Sequence, residues 1–270
     1  MLPWDKHVES RDMKKREKKT ICPLDCPDTC SIVATIEDGR VTGLIGDRGH
    51  PYTNGFICRK MRRYPERVYA KERVLYPQLR VGEKGAGEFR RISWTEAMDR
   101  LAEKLAGISR QHGSDSILPY SYAGNMGAVN RFAGYPLFHR MGTSRLDQTI
   151  CSAAAGAGWK KQCGATPGCP PENAADAELI VAWGINIKVS NVHFWQYVSA
   201  ARKKGGRLLV IDPYRNQTAR SADSYLQVKP GGDSALALGL IKSLIEKDLV
   251  NWDFISRKTS GFEVLARYVK

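Results

Sequence analysis

The sequence predicts an α/β fold in which a small β-rich unit precedes a doubly wound, mostly parallel sheet. Strand-like and helix-like segments alternate along the second half, an Asp38-Gly39 turn separates two runs of alternating apolar residues, and four cysteines flank those runs. The 270 residues are 42% hydrophobic, enough to bury a sizeable core. We expect a basic arm at 1–19, a cysteine-bearing domain at 20–77, a first α/β part at 78–150 and a Rossmann-like domain at 151–270.

Four cysteines carry the strongest chemical signal. Cys22, Cys26, Cys30 and Cys58 follow the spacing C-x3-C-x3-C-x27-C, with three of them inside nine residues. So short a loop can direct three thiolates at one inorganic cluster while a distant segment supplies the fourth, a pattern typical of a 4Fe-4S cluster. The alternatives are structural zinc, which usually takes two pairs of close cysteines, and disulfides, which need an oxidising compartment.

The net charge of +14 is high, and a basic protein of this size often binds nucleic acid. Much of the charge lies in MKKREKK, which we expect to be a solvated, frayed arm, and in CRKMRRYPERVYAKER, which begins at the fourth cysteine. Cations at the second place suit a large cofactor with several phosphates. A surface that reads bases would place them along one helix or strand with interleaved aromatic residues, so we predict no nucleic-acid partner.

The distribution of apolar residues bears on the cellular compartment and on membrane attachment. The N-terminal residues show no apolar run behind their charges and no twin-arginine pair, which predicts a cytoplasmic protein. No window approaches the roughly 18 consecutive apolar residues of a membrane span. We therefore predict no direct membrane span, and seven cysteines in such a protein favour metal or structural roles.

The elements of the first half follow in order. SIVATIEDGRVTGLIGD predicts a hairpin, and RVLYPQLRVGEKGAGEFRRIS an extended pair with a Gly-rich turn. Ser93 and Glu96 form a capping box at the start of a helix that ends at Gly113. SILPYSYA then predicts a strand, GNMG a turn and AVNRFAGYPLFHRMG a helix.

In the second half, AELIVAW, RLLVIDP and SYLQVKP read as strands, and NVHFWQYVSAARKKG and DSALALGLIKSLIEKD as helices. In such sheets ligands bind beyond the carboxyl ends of the strands. Gly184 and Asn186 follow the first strand, and Asp212 follows the second, where a carboxylate can accept bonds from ribose hydroxyls. After the third strand, Gly231 precedes Asp233, which can bond the donor edge of a purine and cap the next helix. The alternatives are a turn residue for Asp212 and only an N-cap for Asp233.

The order of these motifs resembles the N-terminal part of the molybdopterin oxidoreductases of the dimethyl sulfoxide reductase superfamily. The likeness runs through the cysteine loop, CRK, YAGNMG, SRLDQTICSAAAGAGW, WGINIKVSNVH, VIDPYRNQTARSAD and VKPGGDSALALG, and covers nearly the whole chain from Thr20 onward. It implies a molybdenum or tungsten atom held by two molybdopterin guanine dinucleotides (bis-MGD). It also implies that the 4Fe-4S cluster passes electrons to or from that metal.

The resemblance assigns roles to individual residues. The four cysteines match the cluster ligands, and Lys60 matches the basic residue of the C-x-K-G pattern, with Met61 in place of the glycine. Cys151 falls at the protein ligand to molybdenum or tungsten, and Ser152 is the rival. We favour Cys151 because a thiolate is the better donor to a soft metal. Lys60 and Cys151 are therefore the candidate catalytic residues.

The dinucleotide motifs carry over with departures. WGINIKVS keeps most of the family's W-G-x-N-P-x-x-S/T but has Ile187 where proline is usual, and Tyr214 occupies a common arginine place. Gly232 replaces the threonine of the family's G-T-D. The cofactor-binding residues that the resemblance implies are Gly184, Asn186, Ser190, Asp212, Gly231 and Asp233.

The resemblance implies a catalytic subunit that performs two-electron chemistry on a small-molecule substrate, as in anaerobic respiration, and an iron-sulfur electron-transfer subunit as its partner. Family members are usually more than twice this length, so we interpret the chain as a fragment, a truncated gene product or one part of a split enzyme. An alternative is an iron-sulfur electron-transfer subunit without its own pterin-metal site, which leaves Cys151 without a role. A zinc-bearing nucleic-acid binder is another, and it leaves the βα units unexplained.

Overall fold

The structure is a computed structural model that describes residues 15–122, 127 and 129–270. It divides into two compact units, Met1–Cys169 and Pro170–Lys270. The beginning of the basic arm and most of the GNMG turn lie outside the described residues. No helix in the described part of the chain combines the length and apolar character that crossing a bilayer requires.

The first unit begins with a three-stranded antiparallel sheet in the order β1-β2-β3. Its strands are β1 (Arg16–Ile21), β2 (Ser31–Glu37) and β3 (Arg40–Gly46). Asp38 and Gly39 both have positive φ, 48° and 74°, as a tight turn between twisted strands requires, so the predicted hairpin is confirmed. The frayed arm predicted through residue 19 is replaced by β1, all of whose side chains are exposed. Backbone pairing with β2 orders this segment without any side-chain burial.

Two short helices, a second hairpin and a long helix follow. They are α1 (Arg59–Arg62), α2 (Tyr64–Val68), β4 (Gln78–Arg80), β5 (Phe89–Arg91) and α3 (Trp94–His112). The hydroxyl of Ser93 accepts a hydrogen bond from the N–H of Glu96 at 3.0 Å, and α3 ends at Gly113, as predicted. The Glu96 carboxylate pairs with Arg90 and Arg100.

Two predicted elements of the first unit are wrong. Residues 117–122 form no strand, and the helix expected from residue 128 is reduced to α4 (Tyr135–Met141). Pro119 has no N–H to give to a ladder, which disfavours a paired strand there. Pro136 lies in the first turn of α4, where its fixed φ suits a helix start rather than a helix interior. A further helix, α5 (Ala153–Cys163), completes this unit.

The second unit contains the predicted parallel sheet, in the order β6-β7-β8. Its strands are β6 (Leu179–Trp183), β7 (Arg207–Ile211) and β8 (Ser224–Leu226), and its helices are α6 (Ile187–Ser190), α7 (Trp195–Lys203), α8 (Asp233–Glu246), α9 (Trp252–Lys258) and α10 (Phe262–Tyr268). Val198 of α7 packs with Leu208 and Val210 of β7 in one buried core. The alternation of strands and helices agrees with the predicted α/β class.

Candidate functional site

The loop that carries three cysteines is closed by the sheet itself. The backbone N–H of Cys22 donates to the carbonyl of Cys30, with N and O 2.9 Å apart, and so extends the β1–β2 pairing by one step. Cys26 lies midway round the loop, where its carbonyl accepts from the N–H of Thr29. Two strands thus hold the ends of a nine-residue loop, and three sulfurs are confined to one end of the sheet.

Cys58 reaches the same place through a contact between backbones. A Cβ on Gly46, the last residue of β3, would stand 2.4 Å from the carbonyl oxygen of Gly55. Only glycine therefore allows the segment before Cys58 to cross the end of β3. Cys58 is then the N-cap residue of α1.

Three of the four cysteines meet in one small apolar core. Cys30 is 5% exposed and is buried together with Ile32, Ile57 and Met61, while Cys22 and Cys58 pack against this group. Met61, which stands where the family pattern has glycine, is 2% exposed and is part of that core. The departure from the pattern therefore has a packing role beneath the cysteines.

Without a metal, the surroundings of Cys22 and Cys26 favour the protonated thiol over the thiolate. Burial raises the pKa of Cys22 and Cys26, and the neighbouring thiols of Cys30 and Cys58 raise that of Cys22 further. The Lys60 ammonium lowers the pKa of both, so it lies within electrostatic reach of both sulfurs. Thiolates are the form that binds iron, and a metal centre supplies the charge that holds them deprotonated.

The donor set fits a 4Fe-4S cluster. The N–H groups of Leu24 and Asp28 donate to the sulfurs of Cys22 and Cys26, an arrangement that stabilises charge on cluster sulfurs. Within the described ranges, no three His, Cys, Asp or Glu side chains converge as ligands of a single metal ion. A cubane makes a different demand, because each thiolate binds its own iron atom and the four sulfurs stand apart.

Asp47 holds the loop that leads to Cys58, and sequence reasoning missed it. Its carboxylate accepts hydrogen bonds from the N–H of Gly49 and the hydroxyl of Ser31, each at 3.0 Å, and pairs with Lys19. The same donors, with the Gly49 N–H first, lower its pKa from 3.8 to about 2. The sequence does contain a local signal for this turn, because Asp47 lies two residues before Gly49.

Cys151 is exposed and lies in the loop before α5. Its backbone N–H donates to the hydroxyl of Tyr122 at 2.9 Å, and Gln148 donates to the carbonyl of Ser121 at 3.2 Å. These bonds tie the loop to the irregular segment 117–122 rather than to a strand. Ser152 is the N-cap residue of α5, although its side chain makes no capping hydrogen bond.

The register of the parallel sheet gathers the dinucleotide candidates at one edge. Trp183 pairs with Ile211, which in turn pairs with Leu226, so these last strand residues form one row. The N–H of Gly184 donates to the carbonyl of Ile211 at 2.8 Å, and that of Asp212 to Leu226 at 3.3 Å. The chain therefore leaves all three strands at the same level, the place where ligands of such sheets bind.

Asp233 joins this edge through a bond that was not predicted. Its carboxylate accepts from the indole N–H of Trp183, with Nε1 and Oδ1 2.7 Å apart. The predicted capping role is wrong, because Gly232 is the N-cap residue of α8 and no side chain caps that helix. The bond fixes the start of α8 to the end of β6.

Asp212 organises its own loop. One carboxylate oxygen accepts from the N–H of Tyr214 at 3.0 Å and the other from the amide of Asn216 at 2.9 Å. The residue is 7% exposed, while Tyr214, at the usual arginine place, is exposed. Each oxygen retains a second lone pair, so the turn role and a ligand role are compatible.

Asn186 is held by a buried residue from another loop. Its side-chain oxygen accepts from the hydroxyl of Thr218 at 3.0 Å, and that hydroxyl accepts from the N–H of Lys188. Ser190 donates to the Asn186 carbonyl, which closes α6. Ile187, at the usual proline place, is buried in the core. Sequence reasoning missed Thr218, since nothing in its local pattern marks a contact 32 residues away.

Comparison with known proteins agrees with this architecture. The sequence profile of the family described as "Molybdopterin oxidoreductase" matches residues 73–256, and that of the "Molybdopterin oxidoreductase Fe4S4 domain" matches residues 15–70. The second range contains all four cysteines of the cluster site. The first contains both Cys151 and the edge of the parallel sheet.

Curated relatives and a solved structure extend the likeness. A probable oxidoreductase of Bacillus subtilis, YoaE, is 42% identical over 93% of this chain and 37% of its own length. The dimethyl sulfoxide reductase DmsA of Escherichia coli is 28% identical over 95% of this chain and 34% of its own. The structure of acetylene hydratase from Pelobacter acetylenicus matches with a TM-score of 0.68 at 27% identity, over 93% of this chain and 35% of that one. The chain thus spans about a third of the length of these relatives.

Proposed function

Because the chain belongs to the molybdopterin oxidoreductase family, we propose that it forms the cluster-binding and dinucleotide-binding part of a catalytic subunit that oxidises or reduces a small-molecule substrate. One observation carries the proposal: a single chain combines a closed four-cysteine loop with a parallel sheet whose carboxyl edge gathers polar residues. When bound, molybdenum or tungsten bis-MGD supplies two-electron chemistry, and a 4Fe-4S cluster supplies one-electron transfer.

At the cluster site, the four cysteines hold the irons, and the N–H groups of Leu24 and Asp28 donate to the sulfurs of Cys22 and Cys26. The core that contains Met61 excludes water from one side of the site. Lys60 places a positive charge near the loop, which favours the more negative, reduced state. We expect Lys60→Met to leave the iron content intact and to slow cluster reduction, and an unchanged rate would leave Lys60 as a surface residue.

At the sheet edge, the proposed binders of the guanine dinucleotide are Gly184, Asn186, Ser190, Asp212, Gly231 and Asp233. Asp212 accepts from ribose hydroxyls with its remaining lone pairs. Asp233 uses one oxygen for Trp183, which leaves the other for the donor edge of guanine. The paired glycines before α8 keep the backbone free of side chains where the base approaches.

We further propose Cys151 as the protein ligand to molybdenum or tungsten. The residue is exposed at the start of α5, and its backbone is fixed by Tyr122. In the reassembled enzyme, Cys151→Ala should keep the 4Fe-4S cluster but lose both turnover and the sulfur ligand seen by X-ray absorption at the metal. Cys151→Ser should retain part of the activity. If Cys151→Ala turns over normally, the ligand is Ser152 or lies outside the protein.

An iron-sulfur electron-transfer subunit is the proposed protein partner, and the cytoplasm, which keeps thiols reduced, is the proposed compartment.

Metal analysis of protein purified without air tests the proposal most directly. We expect about four irons and four sulfides per chain, broad absorption near 400 nm, molybdenum or tungsten, and release of guanosine monophosphate on acid hydrolysis. Iron and sulfide without molybdenum, tungsten or guanine would favour an electron-transfer subunit. One zinc per chain without sulfide would contradict the cluster itself.

A further inference from the structure

Positive charge is concentrated around the cysteine loop. Residues 15–73 contain thirteen Lys and Arg but eight Asp and Glu. The excess lies on β1 and on the segment after Cys58, which are distant in sequence but flank the same loop. The arrangement of these cations on the sheet determines what they can bind.

The two faces of the β1–β3 sheet use their cations differently. On the face away from the apolar core, Lys15 pairs with Glu37 at 3.1 Å, and Lys19 pairs with Asp47 at 3.0 Å. These cations are therefore engaged within the sheet. Glu17, on the same face, further reduces the positive charge there.

The other face, which we call the cysteine face, is the one that buries Ile32 and Ala34. Arg16 is opposite Ile36, and Lys18 is opposite Ala34, so both cations project on this face. Among residues 15–122, 127 and 129–270, no carboxylate is ion-paired with these two cations of the cysteine face.

Helix α1 adds charge to the same side. Its Met61 belongs to the same buried core as Ile32, so the helix lies on the side of the cysteine face, with Arg59 and Arg62 exposed to solvent. Neither arginine is ion-paired in the described part of the chain. The loop contributes two carboxylates against these four cations: Asp25, which is exposed, and Asp28, which is buried beside Tyr52.

The cysteines adjoin the two elements that carry these cations, since Cys22 follows β1 and Cys58 precedes α1. Cys22, Cys26 and Cys58 are only partly buried, so a cluster that they hold lies beneath a thin layer of protein. Transfer of single electrons requires a donor or acceptor to approach such a layer closely. A nucleic acid would gain charge neutralisation from this face but would make no use of the redox centre.

We propose that the cysteine face, with Arg16, Lys18, Arg59 and Arg62 at its margin, is the docking surface for an acidic electron-transfer protein. The inference rests on the proposed function, because it assigns a partner to the cluster site. Complementary charge steers the partner to the face and orients it over the cysteines. One electron then passes between the two proteins, and no atom is transferred.

Binding of a small acidic plant-type 2Fe-2S ferredoxin to the anaerobically purified chain tests this surface. The double variant Arg16→Glu/Lys18→Glu should raise the dissociation constant about tenfold at about 0.01 M ionic strength. This difference from the original chain should shrink at about 0.15 M, because salt screens the charges. The matched control is Lys84→Glu/Lys104→Glu, which makes the same charge change on the β4–β5 turn and on α3. It should leave binding within about twofold of the original chain.

Further readouts separate docking from folding and from the proposed function. The variant Arg16→Gln/Lys18→Gln should keep its iron content and show a smaller rise in the dissociation constant. Its cluster should be reduced by dithionite at the original rate and by the ferredoxin more slowly. Three results would each overturn the docking surface. They are an equal loss of affinity in the control pair, no ferredoxin binding by a cluster-loaded chain, and tighter binding of duplex DNA through the same residues. A chain that binds no iron would instead overturn the proposed function.

Discussion

The antiparallel sheet near the cysteines and the parallel sheet of the second unit secure their sites in opposite ways. The first buries few side chains, and every residue of β1 is exposed. The second has a central strand, β7, whose Leu208, Val210 and Ile211 are at most 1% exposed. We therefore expect the first site to need a ligand to complete its small core, whereas the second rests on a strand that the protein itself buries.

The two sites also differ in whether the protein itself satisfies their polar groups. At the parallel sheet, Asn186, Asp212 and Asp233 each have a hydrogen-bond partner from their surroundings. At the cysteine loop, burial raises the pKa of Cys22 and Cys26 and so opposes their charged form, and the nearby Lys60 ammonium only partly offsets this effect. Because metal binding contributes folding free energy, we expect from this comparison that the cluster region folds with its metal and that the second unit folds without it.

The largest effect is expected from Cys30→Ala. This change removes a proposed iron ligand and the most buried cysteine, so iron should fall to background and amide exchange in β2 should accelerate strongly. Exchange in β7 should stay slow. Cys163→Ala, an exposed cysteine of α5, is the control and should keep full iron. Simultaneous loss of protection in both sheets would break the comparison.

A large loss of stability in the second unit is expected from Leu208→Ala. Leu208 is 1% exposed in the core of β7, so truncation should cost about 2–5 kcal/mol in urea unfolding of this unit. Leu179→Ala, at a 56% exposed position of β6, should cost less than about 1 kcal/mol. Iron content should not change in either variant. If Leu208→Ala also releases iron, the two regions are not independent.

A smaller effect, on binding rather than on stability, is expected from Trp183→Phe. The change removes the N–H that holds Asp233, so affinity for guanosine diphosphate should fall several-fold, as measured by calorimetry. Trp252→Phe, at the start of α9, removes a comparable bond from the indole N–H to Asp248. Both should cost about 1 kcal/mol of stability, but only the first should affect the nucleotide. Equal affinities in the two variants would show that Trp183 serves packing alone.

The smallest effect is expected from Asp223→Asn. The pKa of Asp223 is lowered because the N–H of Leu208 and the guanidinium of Arg202 stabilise its carboxylate. A lowered pKa stabilises the folded state above the usual aspartate range, and this contribution is lost as the pH falls through the folded-state pKa. The urea midpoint of the variant should therefore be slightly lower at pH 7, with the difference shrinking below about pH 4. A difference that does not depend on pH would exclude a charge effect.

Local signals made much of the fold predictable from sequence. The Asp38-Gly39 turn, the Ser93 cap and the three apolar strands of the second unit each depend on neighbouring residues alone, and all are present. The pairing of β1 with β2 was missed because a polar strand carries no periodic apolar signal. Pro119 and Pro136 were signals that the sequence did contain, and they explain the missing strand and the shortened helix.

The site was predictable in its residue types and less so in its contacts. The cysteine spacing predicted four cluster ligands, and the structure brings three of these cysteines into one small core. The Trp183 bond to Asp233 and the Thr218 bond to Asn186 join segments 50 and 32 residues apart. Such pairs follow from strand register and loop path, which single residues do not encode.

The contact between Gly46 and Gly55 means that the main chain itself sets the distance between the two segments that carry the cysteines. Rotamers can adjust when side chains set a distance, but two backbones in direct contact cannot. Sequence change in the exposed part of the intervening loop should therefore be tolerated, whereas a single methyl group at position 46 should shift Cys58 away from the other three. In a library of random variants, position 46 would accept almost nothing, although it carries no side chain and binds no iron.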